Sequence, residues 1–338
     1  MSHHIVAVDG CYVKIPRISL PTPHEYTEYS NTAPSEIQSR VPDATIVITN
    51  LVPLTAETLQ PKCTPRLELI AVMAAGVDCV DLSACRARGI RVCNIPGGSA
   101  IAVSEHTIGL YFAVRRKIVE LHHLTTKTTQ WEEQGTLKGV YGGLPLTCEG
   151  EVMGIMDYGS LGQRIATLAS ALGMQVLIAT RKDGSSSSSI SNASGHNTSS
   201  PDGVERRTPF HEILRQSTVL VVAVPRLPST IDMISTPELS TMQRNAILIN
   251  VARGAIVNES VLVDALKQGI IAGAATDVFA TEPAGRKTSP LLAEHVPNLT
   301  VSPHLAWYAQ STQDTRARQV KEIVEGFVTS AVGKNVVV

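Results

Sequence analysis

From residue 150 onward the chain repeats one unit, a short and nearly continuous apolar run, a turn, then a helical pattern. The runs fall at 151–156, 175–179, 218–224, 246–251 and 271–275. Between the first two, Leu161, Ile165, Leu168, Ala169 and Leu172 recur at the spacing of one helix face. A strand that is apolar on every residue must be covered on both faces, and alternation with helices is what supplies that cover. The repeat therefore predicts a doubly wound parallel sheet. Runs at 5–8, 45–48, 69–73 and 90–93 show the same alternation on a smaller scale. With 338 residues, the chain is long for one hydrophobic core, and two lobes are the expectation.

The spacing further predicts one long helix over 102–121 joining the lobes, and an amphipathic helix over 313–329 carrying Val320, Ile323, Val324 and Phe327 on one side. If the latter returns to the first lobe, that lobe is discontinuous. The expected division is a substrate domain of residues 1–101 and 308–338 and a nucleotide-binding domain of residues 102–307. Residues 183–203 are Ser-rich and of low complexity, and are expected to form a disordered surface loop.

Composition narrows the partners. A formal net charge of −1 gives no pull towards nucleic acid or an anionic membrane surface. No apolar run approaches the ~20 residues that span a bilayer, and the N-terminus lacks the pattern of a signal peptide. Six scattered cysteines without metal-ligand spacing fit a reducing compartment and packing roles, so the reading is cytoplasmic, with no metal.

Chemistry enters at the strand ends. After the run ending at Met156 the chain reads Asp157-Tyr158-Gly159-Ser160-Leu161-Gly162. In the frame of a Gly-x-Gly-x-x-Gly dinucleotide turn, Gly159 and Gly162 are present and Asp157 replaces the first glycine. Gly159 would admit a pyrophosphate to the backbone, and the helix N-terminus would supply N–H groups. The opposing reading is an ordinary strand-turn-helix glycine pair. The next run ends Thr180-Arg181-Lys182, where an acidic residue would suit NAD and these basic side chains suit a 2′-phosphate; Asp183 comes one step late. NADP(H) is the preferred expectation, with NAD(H) possible.

Arg253, Glu282 and His304 each follow a different strand candidate, at the carboxyl ends where open α/β sheets bind ligands. An arginine can grip a carboxylate and a keto oxygen, a histidine can protonate a developing alkoxide, and a glutamate can orient that histidine. Taken singly, each could be a surface ion pair or a structural turn.

The sequence resembles the D-isomer-specific 2-hydroxyacid dehydrogenase family over essentially its whole length. The resemblance rests on the blocks 219–235 (VLVVAVPRLPSTIDMIS), 246–266 (AILINVARGAIVNESVLVDAL), 272–283 and 297–307, and on Met73-Ala74-Ala75-Gly76-Val77-Asp78, Asn94-Ile95-Pro96-Gly97 and Ala102-Val103-Ser104-Glu105-His106. Its ending His-Leu-Ala-Trp and its Arg181-Lys182 pair look most similar to glycerate dehydrogenases and hydroxypyruvate and glyoxylate reductases. The resemblance implies two Rossmann-like or flavodoxin-like α/β lobes with a cleft between them, and a homodimer. It implies Arg253, Glu282 and His304 as catalytic residues, with Ala75, Gly76 and Trp307 joining Arg253 and His304 at the substrate. Cofactor contacts are implied at Ser160, Leu161, Val224, Pro225, Val251, Ala252 and Asp277. Asp157 and Arg226 depart from the family pattern. Two alternatives stay open, a cofactor-sensing binding protein similar to the C-terminal-binding co-repressors, and a tailoring reductase for a bulkier keto acid.

Overall fold

The computed structural model describes residues 2–182, 207–293, 295–329 and 334–338. The expected Ser-rich loop at 183–203, and Asp183 with it, lies outside the described residues. The chain forms two compact units, Met1–Ser99 with Tyr308–Val338, and Ala100–Trp307.

The first unit holds β1 (His3–Ala7), β2 (His24–Glu28), α1 (Ile37–Arg40), β3 (Ile46–Thr49), β4 (Leu69–Val72), α2 (Leu82–Arg88) and β5 (Arg91–Cys93). All strands are parallel, in the order β2-β1-β3-β4-β5. Period-two alternation sends Val6, Val47 and Ile70 into one core with Cys85 of α2, and Ile5, Ile46 and Leu69 into another with Val320, Ile323 and Val324 of the C-terminal helix. Both faces are thus covered, as near-continuous apolar strands demand. The edge strand β2, His-Glu-Tyr-Thr-Glu, was not anticipated: its residues are polar and largely exposed, and no apolar run marks it.

The second unit opens with α3 (Ala100–Arg115), α4 (Ile118–Lys127) and α5 (Gln130–Gln134), then runs β6 (Val152–Met156), α6 (Ser160–Ala171), β7 (Gln175–Ile178), α7 (Phe210–Gln216), β8 (Val219–Val222), α8 (Thr236–Thr241), β9 (Ile247–Asn250), α9 (Glu259–Lys267), β10 (Gly273–Thr276) and β11 (Leu299–Val301). The C-terminal helix, α10 (Gln310–Thr329), belongs to the first unit. The six-stranded sheet is parallel, in the order β11-β10-β9-β8-β6-β7. Strand order reverses between β6 and β8, so the carboxyl ends of those strands flank the switch point where such sheets bind ligands.

The single helix expected over 102–121 is in fact two. Lys117, at φ 48°, takes the left-handed conformation between α3 and α4. Two residues before it, the Arg115 guanidinium is buried against Glu151 (Nε–Oε1 2.5 Å, Nη2–Oε2 3.0 Å) and donates to the carbonyls of Asn245 (2.8 Å) and Thr218 (3.0 Å). That clamp fixes the end of α3 at the amino ends of β6 and β8, and the chain turns away from it. α4 buries no residue. Among the described residues no helix is long and apolar enough to cross a membrane.

Candidate active site

Three turns, after β9, β10 and β11, carry Arg253, Glu282 and His304. In the first, Asn250 shapes the chain: its Oδ1 accepts from the Ala252 N–H (3.1 Å) and its Nδ2 donates to the Arg253 carbonyl (3.1 Å). Arg253 Nη1 donates to the Ala252 carbonyl at 2.8 Å. Gly254 then lies directly on the neighbouring turn, for a Cβ there would stand 1.7 Å from the Phe279 carbonyl oxygen. The turns bearing Arg253 and Glu282 are therefore in backbone contact.

Glu282 is held from both sides. Its Oε1 accepts from the Phe279 N–H (2.8 Å), and its Oε2 lies 2.6 Å from His304 Nδ1. Burial opposes ionisation of this carboxyl, but the bonds from His304 and Phe279 and the charges of His304 and Arg253 outweigh it and hold the group below the usual glutamate range. Glu259, in the first turn of α9, anchors the same segment by accepting from Ala280 N–H (2.6 Å) and Ser289 Oγ (2.7 Å).

The His304 turn is built around Asp277. The Asp277 carbonyl accepts from the His304 N–H (2.7 Å), its Oδ1 from Ser302 Oγ (2.6 Å) and Leu305 N–H (3.0 Å), and its Oδ2 from Ala306 N–H (2.9 Å). Trp307 closes the turn, its indole N–H donating to the His304 carbonyl at 2.8 Å. These bonds keep His304 at φ 54°, a left-handed conformation that costs a side-chain-bearing residue about 1 kcal/mol. Asp277 and Trp307, read from the sequence as cofactor and substrate contacts, thus have partners inside the turn that presents the histidine.

At the switch point, Asp157 follows β6 at φ 80°, the left-handed conformation that the first glycine of a dinucleotide turn supplies. Gly162 must lack a side chain, because a Cβ would sit 2.3 Å from the Asp157 carbonyl oxygen. Gly159 is the N-cap of α6, and no side chain caps that end, so Ser160 and Leu161 open a helix whose first N–H groups face an uncapped terminus. The arrangement fits the pyrophosphate of a dinucleotide. Val224 and Pro225 follow β8 across the switch point, Val224 half-buried and Pro225 exposed, while Val251 and Ala252 are buried after β9.

Beyond β7 the basic residues divide. Arg181 is exposed. Lys182 is engaged within the protein: its Nζ lies 2.8 Å from Glu238 Oε1 and 3.1 Å from the Met233 carbonyl, and 5.6 Å above the Phe210 ring. Burial of Glu238 disfavours its charge, but Lys182 and the Ser235 N–H prevail and hold its carboxyl below the usual range. Thr180 Oγ1 accepts from the Phe210 N–H (3.2 Å), starting α7. In the first unit, the Ala75–Gly76 turn is pinned by Asn94, whose Nδ2 donates to the Ala75 carbonyl at 2.6 Å.

A histidine held by a carboxylate, with an arginine on the adjoining turn and a dinucleotide turn in the same sheet, defines the class as an oxidoreductase that works with a nicotinamide cofactor. Residues 108–306 match the D-isomer specific 2-hydroxyacid dehydrogenase, NAD binding domain. The chain is 40% identical over 309 residues to a glycerate dehydrogenase of Methylorubrum extorquens, covering 90% of each chain. It is 38% identical over 317 residues to a putative 2-hydroxyacid dehydrogenase of Haemophilus influenzae, covering 92% of this chain and 94% of that one. Its fold matches an NADPH-dependent glyoxylate/hydroxypyruvate reductase of Sinorhizobium meliloti, solved with NADP and malonate, at a TM-score of 0.76 and 24% identity over 99% of this chain and 96% of that one. The chain belongs to the D-isomer-specific 2-hydroxyacid dehydrogenase family, and is a nicotinamide-dependent enzyme of that family.

Sequence reading missed the residues that build the turns, namely Asn250, Gly254, Glu259, Ser302 and His106. Their one visible signal was position: Asn250, Gly254, Glu259 and Ser302 lie in or beside strand-end blocks, and His106 lies in the block 102–106. His106 was quoted only as part of a motif. It sits on α3 with its Nε2 2.9 Å from Ser302 Oγ.

Proposed function

We propose that the chain reduces a small 2-keto acid of the hydroxypyruvate or glyoxylate kind to the D-2-hydroxy acid, and catalyses the reverse oxidation, with NADP(H) preferred and NAD(H) accepted. The observation that carries this reading is the Glu282–His304 pair beside the Arg253 turn. A nicotinamide cofactor held by these residues would supply or receive the hydride at the substrate's second carbon. Arg253 grips the substrate carboxylate and keto oxygen through its planar fork. Glu282 occupies Nδ1 of His304, which leaves Nε2 as the atom that gives a proton to the new alkoxide, and takes it back in oxidation. The resemblance assigns the Ala75 and Gly76 N–H groups, and separately Trp307, to substrate binding. Gly159, Ser160, Leu161 and Gly162 receive the pyrophosphate; of the three residues expected at the adenosine ribose end, the exposed Arg181 takes the 2′-phosphate, while Thr180 and Lys182 hold Phe210 and Glu238 beside it. Val224, Pro225, Val251, Ala252 and Asp277 line the rest of the cofactor path. Relatives named glycerate dehydrogenase, glyoxylate reductase and hydroxypyruvate reductase support the substrate class.

Two further assignments belong to this reading. The region around 102–121, which the resemblance links to a homodimer through the cofactor domains, exposes Ile101, Ile118 and Val119, and this apolar exposure supports that reading. Six free cysteines support a reducing, cytosolic setting. The test is oxidation of NADPH and NADH with glyoxylate, hydroxypyruvate and bulkier 2-keto acids, for the wild type and His304→Ala. Turnover lost in His304→Ala is the expected result. No turnover by the wild type with any keto acid would leave a binding protein, and preference for the bulkier acids would make it a tailoring enzyme.

A further inference from the structure

We propose that His106 is a positioning residue for the proton donor, acting through Ser302 and Asp277 on the turn that presents His304. The inference rests on the reading of His304 as the proton donor.

The hydrogen-bond directions follow from counting protons. Asp277 Oδ1 and Oδ2 collect donors only: Ser302 Oγ, and the backbone N–H groups of Leu305 and Ala306. Ser302 has one hydroxyl proton, and at 2.6 Å it goes to Asp277. The Ser302 oxygen then faces His106 Nε2, at 2.9 Å, only as an acceptor. His106 must carry its proton on Nε2, which also lies 3.8 Å from Asp277 Oδ1. The chain His106→Ser302→Asp277 therefore has one direction, and it ends on the carboxylate around which residues 302–306 fold.

That carboxylate is 2% exposed and keeps His304 in its left-handed conformation. Without the His106 proton, Ser302 can rotate its hydroxyl away from Asp277, and the carboxylate can shift towards whatever donor remains. A turn that holds a strained residue relaxes when its anchor moves. The imidazole of His304 would still bond Glu282, but its reacting nitrogen would no longer be held at one place. A misplacement of about 1 Å at a reacting group can cost about 100-fold in rate.

The experiment compares His106→Leu, Ser302→Ala, the double variant and His106→Gln, measuring kcat, KM, cofactor dissociation constant and melting temperature. His106→Leu and Ser302→Ala are each expected to lose up to about 100-fold in kcat, a loss that persists at temperatures well below each variant's melting point. The double variant should be no worse than either single one, because both cut the same chain. His106→Gln, which places an N–H donor at a similar reach, should recover most of the rate. Multiplicative losses in the double variant, or a lowered melting temperature with unchanged kcat, would overturn the proposal. If His106→Leu does not fold, Ser302→Ala and His106→Gln carry the same test. Should His304→Ala itself turn over normally, the proton-donor reading has failed instead, a result separable from these.

Discussion

Gly254→Ala tests whether the turns after β9 and β10 act as one body. The added Cβ would stand 1.7 Å from the Phe279 carbonyl oxygen, 2.0 Å from its carbonyl carbon and 2.5 Å from the Ala280 nitrogen. All of these are backbone atoms, so no side chain can swing aside. Restoring an ordinary 3.4 Å contact requires the turns to part by roughly 1.7 Å. Overpacking of this kind costs about 1–3 kcal/mol of stability. The larger effect falls on the site, because Arg253 precedes Gly254 while Phe279 N–H holds Glu282. A displacement of about 1 Å between reacting groups can cost 100-fold, so kcat/KM for the keto acid should fall by about that factor, or ~2.7 kcal/mol in the barrier. The assay is steady-state reduction at a temperature where circular dichroism shows the variant folded. Gly326→Ala is the control. It lies within α10 with open space around its Cβ position, and should gain about 0.5–1 kcal/mol with kcat unchanged. A folded Gly254→Ala enzyme with wild-type kcat/KM would refute the reasoning.

Arg115→Met should destabilise the second unit by about 3–5 kcal/mol in urea unfolding, because Glu151 is left buried without its partner; pairing it with Glu151→Leu should recover most of the loss. Glu282 titrates below the usual glutamate range when folded, so the stability it contributes is complete above the unfolded value near 4.5 and is lost as pH falls through the lower folded value. Melting temperatures of wild type and Glu282→Gln should therefore differ by a constant amount above pH 5 or so and converge in acid, and a gap that widens in acid would contradict the assignment. Arg181→Ala should raise the KM for NADPH about tenfold and leave that for NADH nearly unchanged. Lys182→Ala, by contrast, should lower the melting temperature through Glu238 whichever cofactor is used.

How much of this was legible in the sequence depended on whether a residue's surroundings were near it in the chain. The apolar strands declared themselves because burial on both faces leaves little room for polar residues there, and β3, β4, β8 and β9, with the last three residues of β1, largely coincide with such runs. β2 could not be read that way, since it needs only backbone pairing with β1 and its side chains meet water. The break at Lys117 was equally hidden. Residues around it are compatible with helix, while the last residue of α3, Arg115, is clamped by Glu151 and by carbonyls just before β8 and β9, contacts remote in the chain. Arg253, Glu282 and His304 stood out because parallel strands deliver their next residues to one edge of the sheet, so three strand-end blocks were enough to suggest a single site.

The same logic explains which roles the sequence left half-drawn. A basic or acidic residue after a strand announces a charge near the ligand edge but not its partner. Lys182 finds Glu238, and Asp277 finds the backbone of 304–306, each through contacts remote in the chain. Asp157 makes the point from the opposite side. As a letter it breaks the glycine pattern, and as a conformation it keeps it, because aspartate tolerates φ 80° better than most side chains and Gly162 leaves room for its carbonyl. A turn is specified by the angles it needs, and glycine is one way of meeting them. The geometry of a dinucleotide turn therefore survives the substitution, and what changes is the charge: a carboxylate now stands beside the N-terminus of α6, where the dipole favours an anion, a preference that a pyrophosphate bound there would have to share.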